Sequence, residues 1–138
     1  MTKEVSVIIE GYQVDSNEEP VITRAPGTYH LHKGKHYISY EELSEDGEGV
    51  IKSRIGLDPV RVEMTRSGAA SARMSFEESC NTEAVYQTPY GELRFEIRTS
   101  RIMIEEVQNR LEASLEYSLF SNGNCVSMHR TVIKVVPQ

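Results

Sequence analysis

The chain has 138 residues, of which 38% are hydrophobic and 26% are charged, a balance that favours a soluble globular domain over a disordered or membrane protein. Its formal net charge of −6 argues against nucleic acid as a partner, because a phosphate-binding face needs a surplus of Lys and Arg. No apolar run is long enough to span a bilayer or to act as a signal region. We therefore expect one domain, residues 1–138, that does not bind membranes.

Two cysteines, Cys80 and Cys125, lie far apart in the sequence. So sparse a set indicates free thiols in a reducing compartment rather than a disulfide framework. We therefore expect a cytoplasmic protein in which both cysteines are small, buried or half-buried side chains.

The first predicted element is a β-strand in "EVSVIIEGYQ", where Val5, Val7 and Ile9 fall at every second position. Successive side chains leave a strand on opposite faces, so this period of two places the three apolar residues on one side. The pattern predicts a half-buried strand.

A histidine-rich segment, "HLHKGKH", comes next and places His30 and His32 on one strand face, with His36 beyond a Lys-Gly turn. A His-x-His pair on a strand can ligate zinc, iron or nickel. The neighbouring lysines are unfavourable for a cation, and no carboxylate follows at a suitable spacing. We therefore expect an exposed hairpin with no metal and no other cofactor, and keep the three histidines as the weaker alternative.

Two further strands carry charged residues on faces that are otherwise apolar. In "KHYISYEEL" Tyr40 and Glu42 share a face, and in "PVRVEMTR" Arg66 shares the face of Met64. An arginine in an apolar cavity can clamp a carboxylate or phosphate, because its guanidinium is a permanent bidentate donor. The alternatives are an Arg–Glu pair and a charge at a strand end that reaches water.

A turn is predicted at "TPYG", directly before the alternating strand "GELRFEIRTS". Pro89 fixes its own φ and Gly91 can adopt a positive φ, so the corner forms without any functional reason. Tyr90 at the bend either contacts a neighbouring strand or points at a ligand. The structural interpretation is favoured, and Tyr90 stays among the candidate ligand residues.

The strand "NRLEASLEYSLF" alternates most regularly, with Leu115, Tyr117 and Leu119 on its apolar face. A helix over residues 101–116 is the competing interpretation, but its charges would lie on every side. We therefore predict a strand, and Tyr117 becomes a candidate for the wall of an inner cavity.

The last predicted strand, "CVSMHRTVIKVV", follows the hairpin signal "SNGN". Its alternation groups Arg130 with the apolar residues Val126, Met128 and Val132, which makes Arg130 a second candidate for an anion clamp. A bulge or a slip of one residue would move the side chain to the outer face.

Turn signals separate these runs and give about nine to eleven short strands, with no helix of ordinary length. The signals are Asn17–Pro20, Pro26-Gly27, Lys33-Gly34, Asp46–Gly49, Asp58-Pro59, Ser67-Gly68, Pro89–Gly91 and Asn122–Asn124. So many half-buried strands must stack or close, and only closure removes the sheet edges. We predict an all-β fold, a single closed or nearly closed antiparallel, mostly up-and-down barrel of about 8–10 strands.

Three segments, "KHYISYEEL", "SFEESCNTEAVYQTPYGELRFEIRT" and "LEYSLFSNG", resemble the YwiB-like family of small bacterial proteins of unknown function. The similarity covers nearly the whole chain and is strongest at Tyr40–Glu42 and Thr88–Gly91. The resemblance implies a calycin-like barrel, similar in shape to lipocalins, and supplies no activity and no catalytic residues. The chain has no Trp, which departs from the lipocalin pattern, so barrel shape is not evidence of lipid carriage.

The leading functional hypothesis is a barrel that binds a small molecule, anionic in one version, or a peptide at one mouth without catalysis. Its candidate binding residues are Tyr40, Glu42, Arg66, Tyr90, Tyr117 and Arg130. Two alternatives stay open: a filled barrel that acts as a protein-interaction module, and an enzyme acting on a phosphorylated or acyl substrate. The usual nucleophile motifs are absent, and the sequence leaves a homodimer undecided.

Overall fold

The computed structural model describes residues 3–44 and 47–138. In this part of the chain the strands are β1 (Glu4–Gln13), β2 (Val21–His32), β3 (Lys35–Leu43), β4 (Val50–Leu57), β5 (Arg61–Gly68), β6 (Ser71–Glu77), β7 (Asn81–Thr88), β8 (Gly91–Val107), β9 (Arg110–Ser121) and β10 (Asn124–Pro137). The turn predicted at Asp46–Gly49 falls partly outside the described residues. Nowhere in those residues does the chain form a helix fit to span a membrane.

The strands close into a barrel in which each strand pairs antiparallel with its neighbours in sequence and β1 pairs with β10. Each strand has an apolar face to bury, and closure buries these faces together without leaving a continuous sheet edge. The predicted all-β, antiparallel, up-and-down barrel is confirmed, and its ten strands fall within the predicted number.

Three hairpins have left-handed backbone at both central residues. The φ angles are 52° and 78° at Lys33-Gly34, and 51° and 81° at Asn122-Gly123. Turns of this kind match the twist of the strands and prefer Asn-Gly, so the hairpin predicted at "SNGN" is confirmed. The third turn, Gln108-Asn109, has φ angles of 43° and 21° and contains no glycine. It was not predicted, and it joins β8 to β9 within the segment that competed as a helix.

The turn predicted at Pro26-Gly27 is wrong, because both residues lie inside β2. The Tyr29 N–H donates to the Lys3 carbonyl, so odd-numbered residues of β2 direct their backbone polar groups toward β1 and even-numbered residues direct theirs away from it. Pro26 therefore lacks a donor only on the β3 side, where the ladder begins at Gly27. A proline just outside a ladder removes no hydrogen bond from it.

On the N-terminal side of Gly27, strand β2 separates from β3. Residues 21–26 of β2 pair only with β1, and residues 41–43 of β3 pair only with β4. We call the opening between these two segments the β2–β3 gap. It lies at the end of the barrel where the odd-numbered strands finish, which we call the open end.

The opposite end, called the closed end, contains the packed core. Large apolar side chains are exposed at both ends, and at the open end Val21 and Leu43 reach 73% and 71% exposure. The largest fully buried side chains come from the middle of the barrel and the closed end: Val5, Val7, Ile38, Ile55, Leu57, Val62, Phe76, Ile97, Leu111, Leu115, Ile133 and Val135. Inner space for a ligand therefore lies toward the open end.

Cys80 and Cys125 are free thiols, as predicted, but both are exposed. Cys80 follows the end of β6, and Cys125 lies at the start of β10 beside a bulge. The predicted burial is wrong, because neither position belongs to the regular inner face of a strand.

Candidate functional site

A cavity of about 260 Å³ lies inside the barrel toward the open end. Pockets for drug-sized ligands occupy roughly 300–1,000 Å³, so this cavity suits a smaller molecule. Its apolar lining includes Ile9, Ile55, Met64 and Met74. Val21 of β2 and Tyr40 of β3 also line it, so the cavity adjoins the β2–β3 gap on both sides.

The strand register places a row of side chains on the inner face of β3 to β7. Residues at paired positions of adjacent strands point to the same side of the sheet. The small Ala72 lies between Arg66 and Tyr86, which leaves space between these two long side chains. In strand order the row is Tyr40, Ser53, Arg66, Ala72 and Tyr86.

The three cavity tyrosines stay protonated at neutral pH. Burial is the main cause that raises the pKa of Tyr40, Tyr86 and Tyr117 above the usual 10.0. The Arg66 charge lowers the pKa of Tyr40 and Tyr86 to a smaller extent, in agreement with its place between them in the row. The Tyr117 hydroxyl is 3.5 Å from Thr131 Oγ1. The Tyr86 hydroxyl donates to Met74 Sδ at 3.6 Å. All three hydroxyl groups are protonated donors that an anionic acceptor on a ligand would attract.

Ser53 is a buried polar residue that the barrel leaves unsatisfied at this cavity. Its side chain is 5% exposed, and its Oγ has no hydrogen-bond partner among residues 3–44 and 47–138. The Ser53 hydroxyl is near enough to Tyr40 to lower the tyrosine pKa, but it lacks the geometry of a satisfied hydrogen bond. An unpaired buried hydroxyl costs about 1–3 kcal/mol, which a ligand bonded to Ser53 would recover.

Arg66 is a charged residue at the cavity rim, and Glu42 is a charged residue on the same inner face that does not itself line the cavity. Arg66 lines the cavity and is exposed toward the open end. Glu42 lies two residues beyond Tyr40 on the same face of β3 and is half-buried. In the described part of the chain neither residue forms an ion pair. Among the residues described, Arg66 and Glu42 therefore do not form the Arg–Glu pair that the sequence left open as an alternative.

Tyr90 and Arg130 lie away from the cavity, which corrects the sequence-based site. Tyr90 is 100% exposed in the turn between β7 and β8, where its N–H donates to Thr88 Oγ1. Arg130 lies on the outer face of β10, with its guanidinium 4.6 Å from the centre of the Tyr12 ring. The face was misassigned because both sides of β10 carry apolar residues, and alternation alone does not show which side is inner.

The three histidines do not converge. His30 is exposed and stacks on Tyr37 of β3 at 5.1 Å between ring centres, and His32 is also exposed. His36 is buried, and its Nδ1 is 2.7 Å from the Tyr29 hydroxyl. No group of three or more His, Cys, Asp or Glu side chains suited to a metal ion occurs among the residues described.

A Ser–His contact supports the cavity wall from β10. Ser127 Oγ is 2.6 Å from His129 Nε2, and the His129 ring stacks on Tyr117 at 5.2 Å between centres. Burial lowers the pKa of His129, while the Asp15 charge raises it to a smaller extent. The neutral imidazole therefore holds Tyr117 in place against the inner face.

Sequence reasoning missed Tyr86 and Ser53. Tyr86 shares the inner face of β7 with Ala84, and the alternation of "NTEAVYQT" contains that signal. Ser53 has no comparable signal, because a serine between charged residues is typical of a solvated strand. Only the pairing of β4 with its neighbours shows that Ser53 faces inward.

Comparison with known proteins gives a family and a fold. The family described as "Domain of unknown function (DUF1934)" matches residues 7–133. The chain is similar to the crystal structure of the ywiB protein from Bacillus subtilis, with a TM-score of 0.79 and 24% sequence identity over 98% of this chain and 90% of that chain. None of the curated proteins matches it. The predicted resemblance to the YwiB-like family is confirmed, and at this identity the structural likeness shows a shared fold.

Proposed function

Because the chain belongs to the family described as "Domain of unknown function (DUF1934)", which names no activity, we propose its function from the geometry of the cavity. The barrel binds a small amphipathic molecule with an anionic group inside the open end and does not convert it chemically. The main support is Arg66, which lines the cavity and forms no ion pair among residues 3–44 and 47–138, next to the buried Ser53 hydroxyl in the register. An anionic group on a bound ligand would pair with this guanidinium.

The hydrogen-bond donors at the cavity rim indicate that the ligand carries an anionic group. Arg66 supplies a permanent positive charge with a planar set of N–H donors, which suits a carboxylate or phosphate oxygen pair. The hydroxyl groups of Tyr40 and Tyr86 are protonated and lie near this guanidinium. Hydrogen bonds from these groups to an anion would add to the charge attraction.

The apolar part of the ligand follows from the lining below the rim. Ile9, Ile55, Met64 and Met74 offer aliphatic and thioether surface, and methionine adapts its shape to irregular ligands. Contact with this surface contributes roughly 25 cal/mol for each Å² of apolar area removed from water. The volume of about 260 Å³ favours a short branched chain or one ring over a long acyl chain.

We also propose that the protein is cytoplasmic. The two cysteines are exposed free thiols, which a reducing compartment keeps in that form. Fractionation of the source cells tests this part of the proposal separately from binding, and recovery in an extracellular fraction would contradict it.

Calorimetric titration with 4-methylpentanoate tests the proposed function, with 4-methylpentan-1-ol as the uncharged control. We expect the carboxylate to bind more tightly than the alcohol, and Arg66→Gln to weaken carboxylate binding at least tenfold. Arg130→Gln is the matched control, because it removes an arginine from the outer face. Equal affinity in wild type and Arg66→Gln, or an equal loss in both variants, would contradict an anion site at Arg66.

A further inference from the structure

Two opposite charges approach the same tyrosine at the cavity rim without forming an ion pair with each other. Glu42 is two residues from Tyr40 along β3, and Arg66 lies in the row of Tyr40 two strands away. Burial is the main cause that raises the pKa of Tyr40, and the smaller effects of Arg66, which lowers it, and Glu42, which raises it, agree with these positions. The inner face therefore carries a positive charge two strands from Tyr40 and a negative charge two residues beyond it.

The spacing of the strands leaves room between these two charges. Strands β3 and β5 are about 10 Å apart, and two residues along a strand span about 7 Å. The Cα atoms of Arg66 and Glu42 are therefore about 12 Å apart, and both side chains point to the inner face from these positions. No ion pair within 4 Å is formed by either residue in the part of the chain described.

Glu42 is unfavourable for a ligand that carries only a negative charge. A second carboxylate near the Arg66 site repels a simple anion and offsets part of the attraction to the guanidinium. The same carboxylate attracts a ligand that carries an ammonium group beside its carboxylate. The neighbours of Glu42 on the inner face, Ile51 and Tyr40, supply no positive charge of their own.

We propose that the ligand of the open-end cavity is a small zwitterion of the α-amino acid class. Its carboxylate binds the Arg66 guanidinium and the adjoining hydroxyl groups, and its ammonium group binds the Glu42 carboxylate. Its apolar side chain packs on Ile55, Met64 and Met74. This inference rests on the proposed function and names the class of molecule that the cavity binds.

A matched set of probes that share a 3-methylbutyl group tests the proposal by calorimetry. Leucine carries both charges, 4-methylpentanoate carries only the carboxylate, and 3-methylbutylamine carries only the ammonium group. We expect wild type to bind leucine more tightly than either of the other two. Glu42→Gln should weaken leucine binding roughly tenfold and leave 4-methylpentanoate binding unchanged or stronger. Arg66→Gln should weaken the binding of both carboxylates.

The matched control is Glu41→Gln, which makes the same change of charge at the neighbouring position on the outer face. It should leave the affinity for all three probes within twofold of wild type. Leucine that binds no better than 4-methylpentanoate, or that keeps its affinity in Glu42→Gln, would overturn the zwitterion and leave the anion site in place. Failure of every probe to bind wild type would overturn the proposed function as well.

Discussion

Gly27 lies directly opposite Tyr40 and is the first residue of β2 to pair with β3, next to the point where the two strands separate. A Cβ atom at Gly27 would be 2.5 Å from the Ser39 carbonyl oxygen and 2.9 Å from Val7 Cγ2. Glycine therefore permits the close approach of β2 and β3 at the base of the β2–β3 gap. The position of Tyr40 in the cavity wall depends on this contact.

Gly27→Ala should destabilise the barrel by about 1–3 kcal/mol, because backbone atoms cannot move aside as a flexible side chain can. Gly11→Ala is the control, since a Cβ there would meet its nearest atom, the Val21 carbonyl oxygen, at an ordinary 3.8 Å. Denaturant midpoints of the two variants measure the effect. Equal midpoints for Gly27→Ala and wild type would show that the ladder is not tight at this point.

Ser53→Ala should raise the stability of the protein while it weakens ligand binding. Removing a buried hydroxyl without a hydrogen bond is expected to raise the free energy of unfolding by up to about 1 kcal/mol, and to weaken 4-methylpentanoate binding several-fold. Thr99→Val is the control, because Thr99 Oγ1 is also buried and unpartnered in the described residues but does not line the cavity. It should stabilise the protein without changing affinity. Unchanged affinity in Ser53→Ala would remove Ser53 from the site.

His129 should make stability depend on pH. Its pKa is lowered in the folded protein, mainly by burial, so the unfolded chain takes up the proton first as pH falls below about 6.5. Wild type should therefore lose stability from that pH down to the folded pKa, and His129→Gln should lack this part of the loss. Unfolding by urea between pH 5 and 8 measures both proteins. Parallel curves would contradict a buried neutral imidazole at this position.

Asn109→Gly should stabilise the β8–β9 hairpin. Gln108 and Asn109 hold φ angles of 43° and 21°, which are strained for residues with a side chain, whereas Asn122-Gly123 already has the favoured sequence. The gain should be about 0.5–1 kcal/mol in the free energy of unfolding, read from denaturant titration. A loss of stability would mean that the Asn109 side chain makes a contact worth more than the strain.

The fold could be predicted from the sequence because the inner faces repeat with a period of two, as at Val5 and Val7. The alternation pattern gave the wrong face in β10, where apolar residues occupy both faces. Arg130 was therefore assigned to the inner face although it lies on the outer one. Proline and glycine were interpreted as a turn at Pro26-Gly27 because the sequence does not show that the β2–β3 ladder begins there. Local signals of this kind cannot report which strand edges remain unpaired.

The candidate site could be predicted only in part. Tyr40, Arg66 and Tyr117 were identified from the alternation pattern and line the cavity, while Glu42 lies on the same inner face but does not line the cavity. The alternation pattern gives the face of a residue but not its depth along the barrel. That depth depends on the register of every intervening strand. Ser53 lies beside Arg66 only through the pairing of β4 with β5, so a single sequence did not reveal it.

The most direct test of the account is an NMR titration of the protein labelled with ¹³C at its methionine methyl groups, with 4-methylpentanoate as the ligand. Met64 and Met74 line the cavity, whereas Met103 and Met128 are 50% and 45% exposed and do not. We predict saturable shifts of the Met64 and Met74 signals, with those of Met103 and Met128 unchanged. Shifts confined to the exposed pair, or no shift of Met64 and Met74 at millimolar ligand, would contradict a binding site inside the barrel.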